Sequence, residues 1–282
     1  MNEILSVRGL RKEDPAFTLD DLSFTLAPGR ITGFIGRNGA GKSTTLKCLT
    51  GMVHPDGGEI AFFGLPLAGN ELKIRQRMAF MSGTTDFYMR KKLHTITGIT
   101  KAFYPGWDEA AYHRYMERFR LDENKMPATL SAGMRVKYSL ALAMSHHAEL
   151  LILDEPTSGL DPISRDELTD LFLALQREGV SILFSTHITS DLEKCADRIT
   201  YIHEGRIMNS ESLQTFRSRY RLVRMDGAVP EAWRPHLLGS KEAKHGITAL
   251  MERGWTEQLG VPSEEAALDD VMVHLEKEHD ER

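Results

Sequence analysis

The chain has 282 residues, 41% of them hydrophobic, and a formal net charge of −5. That length allows one large domain or two smaller ones, and the acidic balance argues against a nucleic-acid footprint, so no nucleic-acid partner is expected. The two cysteines, Cys48 and Cys195, match no metal or redox spacing and are expected to act as small apolar side chains in a reducing compartment.

The first informative element is the apolar, β-branched run Arg30–Ile35, which predicts a buried strand. After it come Gly36, Arg37, Asn38, Gly39, Ala40, Gly41, Lys42, Ser43 and Thr44, leading into a helix expected from about Lys42 to Thr50. The glycines leave backbone N–H groups unshielded, and the helix adds its positive dipole end, so the segment is suited to cradle a β-phosphate. Lys42 supplies a point charge for the β- and γ-phosphates, and the Ser43 hydroxyl is a hard oxygen ligand for Mg2+. An ordinary glycine-rich turn is the bland alternative. The complete G-x-x-x-x-G-K-S pattern between an apolar strand and a helix argues against it.

Residues from about 86 to 146 hold few strand patterns and many helix formers, which predicts an inserted helical lobe. Trp107 is expected to be a packing anchor there, and His146-His147 suggest no chemistry. The run Leu150–Leu153 is continuously apolar, as in a central parallel strand buried on both faces. It ends in Asp154 and Glu155, whose side chains must point apart because they alternate along a strand. Asp154 is expected on the metal side, and Glu155 is expected to act as general base or to orient the attacking water.

Asp161 is expected to cap a helix whose first residue is Pro162. Ile163, Leu168, Leu171, Phe172 and Leu175 are expected on one buried face, with Gly179 as the terminator. Val180–Thr186 predicts another buried strand, and His187 follows it, beside where a γ-phosphate would lie. The remaining stretch, about 218–282, is an appendix with a strand at Tyr220–Met225 and breaks at Gly227 and Pro230. Its last helix is expected to start near Pro262 and Ser263. That helix carries the apolar stripe Leu268, Val271, Met272 and Leu275, packed within its own chain, and a solvated acidic face of Glu264, Glu265, Asp269, Asp270, Glu276 and Glu278. Trp255 is again expected to be a packing anchor. No basic-plus-apolar leader follows Met1, and no apolar run approaches the roughly 20 residues of a membrane helix. The chain is therefore expected to be soluble, with any membrane pore in another chain.

GRNGAGKS at 36–43, LSAGM at 130–134, LLILDEP at 150–156, SGLD at 158–161 and His187 after Ser185-Thr186 resemble the ATPase subunits of ATP-binding cassette (ABC) transporters, over roughly residues 3–217. The stretches 103–108, 130–137 and 185–192 look like the branch of separate-chain ATPases of ABC-2-type exporters, which includes antibiotic-resistance and GntR-regulated systems. The resemblance implies an α/β fold: a P-loop NTPase core with a mostly parallel sheet, an ABC ATPase domain over 1–217 with its inserted helical lobe, and a small α+β accessory region over 218–282. It also implies ATP and Mg2+ as cofactors, with Ser43 and Asp154 on the metal and Glu155 and His187 catalytic. The implied partners are a separately encoded transmembrane permease and a second ATPase subunit, in a homodimer or pseudo-homodimer. The implied location is cytoplasmic, peripheral at the inner face of the cell membrane. A non-transport ABC ATPase and a nucleotide-gated binder without turnover are the competing expectations.

In that family Ser131 and Gly133 would reach the ATP held by the partner chain, and Asp161 would lie at the same interface. Ser131 is also placed to cap the helix from Gly133 to about His146, and the two roles are compatible. Four positions depart from the pattern. Ala132 and Met134 replace a Gly and a Gln. The usual adenine-stacking tyrosine is missing, with Phe17 the nearby aromatic and a core role its alternative. Gly83 stands where a glutamine is usual, with Asp86 and Gln76 as weak substitutes.

Overall fold

The computed structural model describes residues 3–15, 17–82, 88–226, 229–243 and 246–280. The chain forms two compact units, residues 1–187 with 200–210, and residues 188–199 with 211–282.

The first unit begins with the hairpin of β1 (Leu5–Asp14) and β2 (Phe17–Leu26). In β2, Leu22, Phe24 and Leu26 are buried at period two while their neighbours are exposed, the pattern of a sheet with one packed face. Next come β3 (Ile31–Ile35), buried throughout, and α1 (Lys42–Leu49). The chain then returns as β4 (Gly57–Phe62) to pair with β1, followed by β5 (Leu65–Pro66) beside β4. The short α2 (Glu71–Arg75) leads into β6 (Met78–Ser82).

Among the described residues the inserted lobe contains the α-helices α3 (Leu93–Lys101), α4 (Glu109–Arg118) and α5 (Ala132–Ser145). Asp108 caps α4 by accepting the Ala111 N–H at 2.9 Å. The lobe has its own core of Leu93, Ile96, Tyr112, Met116, Tyr138 and Ala141, with Trp107 packed against it. The buried Thr97 hydroxyl lies 2.9 Å from both the Tyr112 and the Tyr138 hydroxyls, which lets that core hold two phenols without orphaned polar atoms.

The chain re-enters the sheet as β7 (Leu150–Asp154), crosses through α6 (Pro162–Arg177) and returns as β8 (Ser181–Thr186). α6 buries Leu168, Leu171, Phe172 and Leu175, but Ile163 is 74% exposed. The expectation for Ile163 fails because it lies five positions before Leu168, which at 3.6 residues per turn puts it off the buried stripe. After α7 (Thr189–Cys195), β9 (Arg198–His203) and β10 (Arg206–Ser212) complete the six-stranded order β10-β9-β3-β8-β7-β6, in which β3, β8, β7 and β6 run parallel. The parallel strands account for the unbroken apolar runs, since both of their faces are covered.

The second unit takes in α7 and continues with α8 (Leu213–Arg219), β11 (Tyr220–Met225), β12 (Leu237–Ala243), β13 (Gly246–Glu252), α9 (Arg253–Leu259), β14 (Glu264–Glu265) and α10 (Leu268–Asp280). Its sheet is antiparallel in the order β12-β13-β11-β14. Val223, Met225, Ala249, Met251 and Val261 form the core, with Trp255 packed against it. α7 belongs here because Glu193 accepts the Leu268 N–H at 3.1 Å and lies 3.4 Å from Arg217.

Leu268, Val271, Met272 and Leu275 are buried, in line with the expected stripe. The last helix nevertheless starts at Leu268 and not near Ser263, because Glu264 and Glu265 pair with β11 as a strand. The acidic face is only partly solvated. Glu264 is 2.6 Å from Arg224, Glu276 is 8% exposed, and Glu278 accepts the Gly239 N–H at 2.8 Å. Cys48 and Cys195 are both buried thiols, pushed up by burial to about 11 and about 12.

Candidate functional site

A cleft of about 960 Å3 lies at the carboxyl ends of β3, β7 and β8, where open α/β sheets bind ligands. One wall is the loop after β3. Gly41 has φ 106°, and a Cβ there would come within 2.6 Å of Leu19 and 2.7 Å of Phe17, so only glycine fits. A Cβ at Gly36 would collide with the Ile202 carbonyl oxygen. Of the residues expected to bind nucleotide, Asn38, Gly39, Gly41, Lys42, Ser43 and Thr44 line the cleft, and Gly36, Arg37 and Ala40 adjoin them in the same loop. The Gly36 and Arg37 carbonyls accept the Lys42 ammonium at 2.7 and 3.1 Å, and the Ala40 carbonyl accepts the Gly205 N–H at 3.1 Å.

The opposite wall holds the acids, and they do diverge. Asp154 Oδ1 accepts the Ser43 hydroxyl at 3.1 Å and the Ser185 hydroxyl at 2.6 Å. Glu155 faces the other way, with Oε1 3.5 Å from the Lys42 Nζ and Oε2 2.8 Å from His187 Nδ1. The Glu155 backbone is left-handed, with φ 50°, a strained conformation for a residue with a Cβ. The Ser185 oxygen accepts the Glu155 N–H at 2.9 Å and holds that turn. The sequence assigns Ser185 no role of its own, because that role depends on the β7–β8 register, which sets it opposite Asp154. Ser158 of the SGLD segment lines the cleft as well, and so do Ser82, Lys12 and Lys47, which belong to no quoted motif.

The residues present suit a magnesium triphosphate. Among the described residues no group of three His, Cys, Asp or Glu side chains could cage a metal. The cleft instead offers one hydroxyl beside one carboxylate, Ser43 and Asp154. That sparse hard-oxygen set matches Mg2+, which keeps waters and takes its remaining ligands from phosphates. The N–H groups of the first turn of α1 lack acceptors within the helix, and the residues of that turn, Lys42, Ser43 and Thr44, line the same cleft.

Phe17 lines the cleft and also packs on the core beside Gly41, so both roles expected of it are available to one ring. Gly83 and Asp86 lie outside the described residues. Gln76 is absent from the cleft wall, since its side-chain amide donates to the Phe103 carbonyl at 2.8 Å.

Ser131, Gly133 and Asp161 do not line their own chain's cleft. Ser131 caps α5, its oxygen accepting the Met134 N–H at 3.2 Å. Asp161 caps α6 by accepting the Ile163 and Ser164 N–H groups at 3.0 Å, and the Ser164 hydroxyl at 2.6 Å holds its carboxyl below the usual carboxylate range. The two caps are neighbours, since a Cβ on Gly133 would lie 3.6 Å from the Ser164 Cβ.

Residues 19–158 match the family model described as ABC transporter. The chain is 33% identical over 207 residues to the bacitracin transport ATP-binding protein BcrA of Bacillus licheniformis, covering 72% of this chain and 68% of that protein. It is 37% identical over 198 residues to the Nod factor export ATP-binding protein I of Burkholderia lata, covering 67% of this chain and 64% of that one. A solved structure of an ATP-binding subunit of an ABC transporter superposes with a TM-score of 0.69 at 32% identity, covering 76% of this chain and 92% of the other.

Proposed function

Since this chain belongs to the ABC transporter family, as one of its ATP-binding subunits, we propose that it binds ATP with Mg2+, hydrolyses it to ADP and phosphate, and so energises a separately encoded membrane permease that exports its substrate. The observation that carries this reading is the convergence, in one cleft, of Lys42, the Ser43–Asp154 pair and the Glu155–His187 pair.

Lys42 exchanges the carbonyls of Gly36 and Arg37 for β- and γ-phosphate oxygens, so its charge is held in place before nucleotide arrives. Ser43 by its hydroxyl and Asp154 by its carboxylate would hold the cation. Mg2+ bound there would supply charge stabilisation to the phosphate oxygens. Glu155 orients the attacking water and takes its proton. His187, 2.8 Å from Glu155, fixes that carboxylate and stands where it can donate to the γ-phosphate.

The same reading places Ser131 and Gly133 of one copy on the nucleotide of a second copy, with Asp161 at that interface. It is supported by the adjacency of the two helix caps outside their own cleft. A helix N-terminus with a serine cap is a ready anion site once a second chain brings a phosphate to it. Export is inferred from the relatives named for bacitracin transport and Nod factor export. Among the described residues no helix is long and apolar enough to cross a membrane, so we place the subunit at the inner membrane face through its permease.

The test is Mg2+-dependent ATP hydrolysis by the purified chain, alone and with the membrane protein that co-purifies with it. Lys42→Ala is expected to abolish turnover. A wild-type rate in that variant would refute the site, and the absence of any polytopic partner on purification from membranes would refute the transport role.

A further inference from the structure

The second unit contains a cleft that nucleotide chemistry does not use. It has a volume of about 570 Å3, within the range of about 300–1,000 Å3 typical of small-molecule sites. Its floor is built by strand pairing. α8 runs straight into β11, and Tyr220 at the start of β11 pairs with Glu252 at the end of β13, immediately before Arg253 opens α9. That register gathers Arg217 from α8, Arg221 from β11 and Arg253 from α9 around one opening. Gln214, Ser218 and Tyr220 line the same cleft.

The three guanidinium groups are only partly committed. Arg217 uses Nη1 on Glu193 at 3.4 Å, and Arg253 uses Nε on Glu257 at 2.9 Å; neither glutamate lines the cleft. Arg221 donates Nη2 to the Ser263 carbonyl at 3.3 Å and stands 3.9 Å from Glu265, whose side chain is 87% exposed. With five donors on each fork, several N–H groups remain for a ligand. Asp197 and Glu265 also line the cleft, and Glu193 and Glu257 pair with its arginines from outside the lining, so the attraction for an anion rests on the spare N–H donors and not on net charge. Planar forks brought together from three different elements match phosphate or carboxylate oxygens.

We propose that this cleft is a binding site for a small polyanion, a phosphorylated or polycarboxylate metabolite, held by Arg217, Arg221 and Arg253 and separate from the ATP cleft. The Gln214 amide, in the same lining, selects among such anions by hydrogen bonding to the remainder of the molecule. The site makes the second unit a ligand-responsive module attached to an ATP-driven subunit.

Pyrophosphate and citrate are the two probes. Binding is measured by titration calorimetry in a Lys42→Ala background, so that the phosphate loop does not supply the heat. Heat from pyrophosphate alone assigns a phosphorylated ligand, and heat from citrate alone a carboxylate one. Adding Arg217→Gln and Arg253→Gln in the same chain is expected to weaken binding by about tenfold or more, the loss expected when charge-assisted hydrogen bonds are removed. Neither probe binding, or binding unchanged by the double substitution, overturns the proposal. A second measurement uses the unaltered chain. Phenylglyoxal labelling of Arg217, Arg221 and Arg253, mapped by mass spectrometry, is expected to slow when the bound probe is present. Equal labelling rates with and without it overturn the proposal independently of any variant's folding.

Discussion

Ser185 and Asp154 face each other across neighbouring parallel strands, and the serine hydroxyl donates to the aspartate at 2.6 Å while accepting the Glu155 N–H at 2.9 Å. One buried hydroxyl thereby orients Asp154 and pins the strained turn that aims Glu155. Ser185→Ala removes a donor from a buried carboxylate and leaves an amide without its acceptor, a cost of about 1–3 kcal/mol. Lower thermal stability and a higher Mg2+ requirement for hydrolysis are expected, with ATP affinity in the absence of metal little changed. A Mg2+ titration superimposable on that of the wild type would remove Ser185 from the site's support.

Glu155→Gln preserves shape and removes the base. Turnover is expected to fall by about 10²–10⁴-fold, the usual contribution of general base catalysis, while ATP binding persists. Because hydrolysis no longer reopens the pair, a dimer should accumulate with ATP and Mg2+ and be visible by light scattering. A variant that stays monomeric at saturating ATP, with Ser131 intact, would count against closure between two copies.

Gly36→Ala tests the back of the phosphate loop. The added methyl meets the Ile202 backbone carbonyl, which has no rotamer with which to move aside. Overpacking of this kind costs about 1–3 kcal/mol, and the loop should shift with it. The expected result is a lower melting temperature together with weaker ATP binding. Unchanged values for both would show that the loop tolerates displacement from β9.

His146 is expected to make stability depend on acidity. Its ring stacks on Tyr104 with centroids 3.8 Å apart, and Nδ1 donates to the Gln76 carbonyl at 3.4 Å. Burial pulls the imidazole down from 6.5 to about 4. The unfolded chain therefore binds a proton that the folded chain refuses between those values. The contribution is complete above about pH 6.5 and is lost as pH falls toward about 4, amounting to at most about 3 kcal/mol. His146→Phe keeps the stack and removes the titration. Its stability, followed by urea unfolding from pH 7 to 4, should fall less steeply than that of the wild type; identical slopes would show that the imidazole is not excluded from protonation.

Much of the site could be read from the chain because its signals are local. The run from Gly36 to Ser43 encodes a turn, a charge and a helix start within a few residues. Asp161 before Pro162 and Ser131 before Ala132 are caps whose partners lie two or three residues away. The apolar run ending in Asp154 and Glu155 marks a doubly covered strand, and Leu268, Val271, Met272 and Leu275 mark a helix face by period alone. Other features required the tertiary structure, because strand register and the packing of distant segments decide them. Ser185 meets Asp154 only through the β7–β8 pairing. Glu264 and Glu265 leave a helical pattern because β11 offers them an edge. α7 joins the second unit through Glu193 and Leu268, 75 positions apart. Arg217, Arg221 and Arg253 become one cleft because the start of β11 lies beside the end of β13. Period and capping depend on neighbours a few residues away, whereas register and layer packing join segments whose separation along the chain carries no pattern.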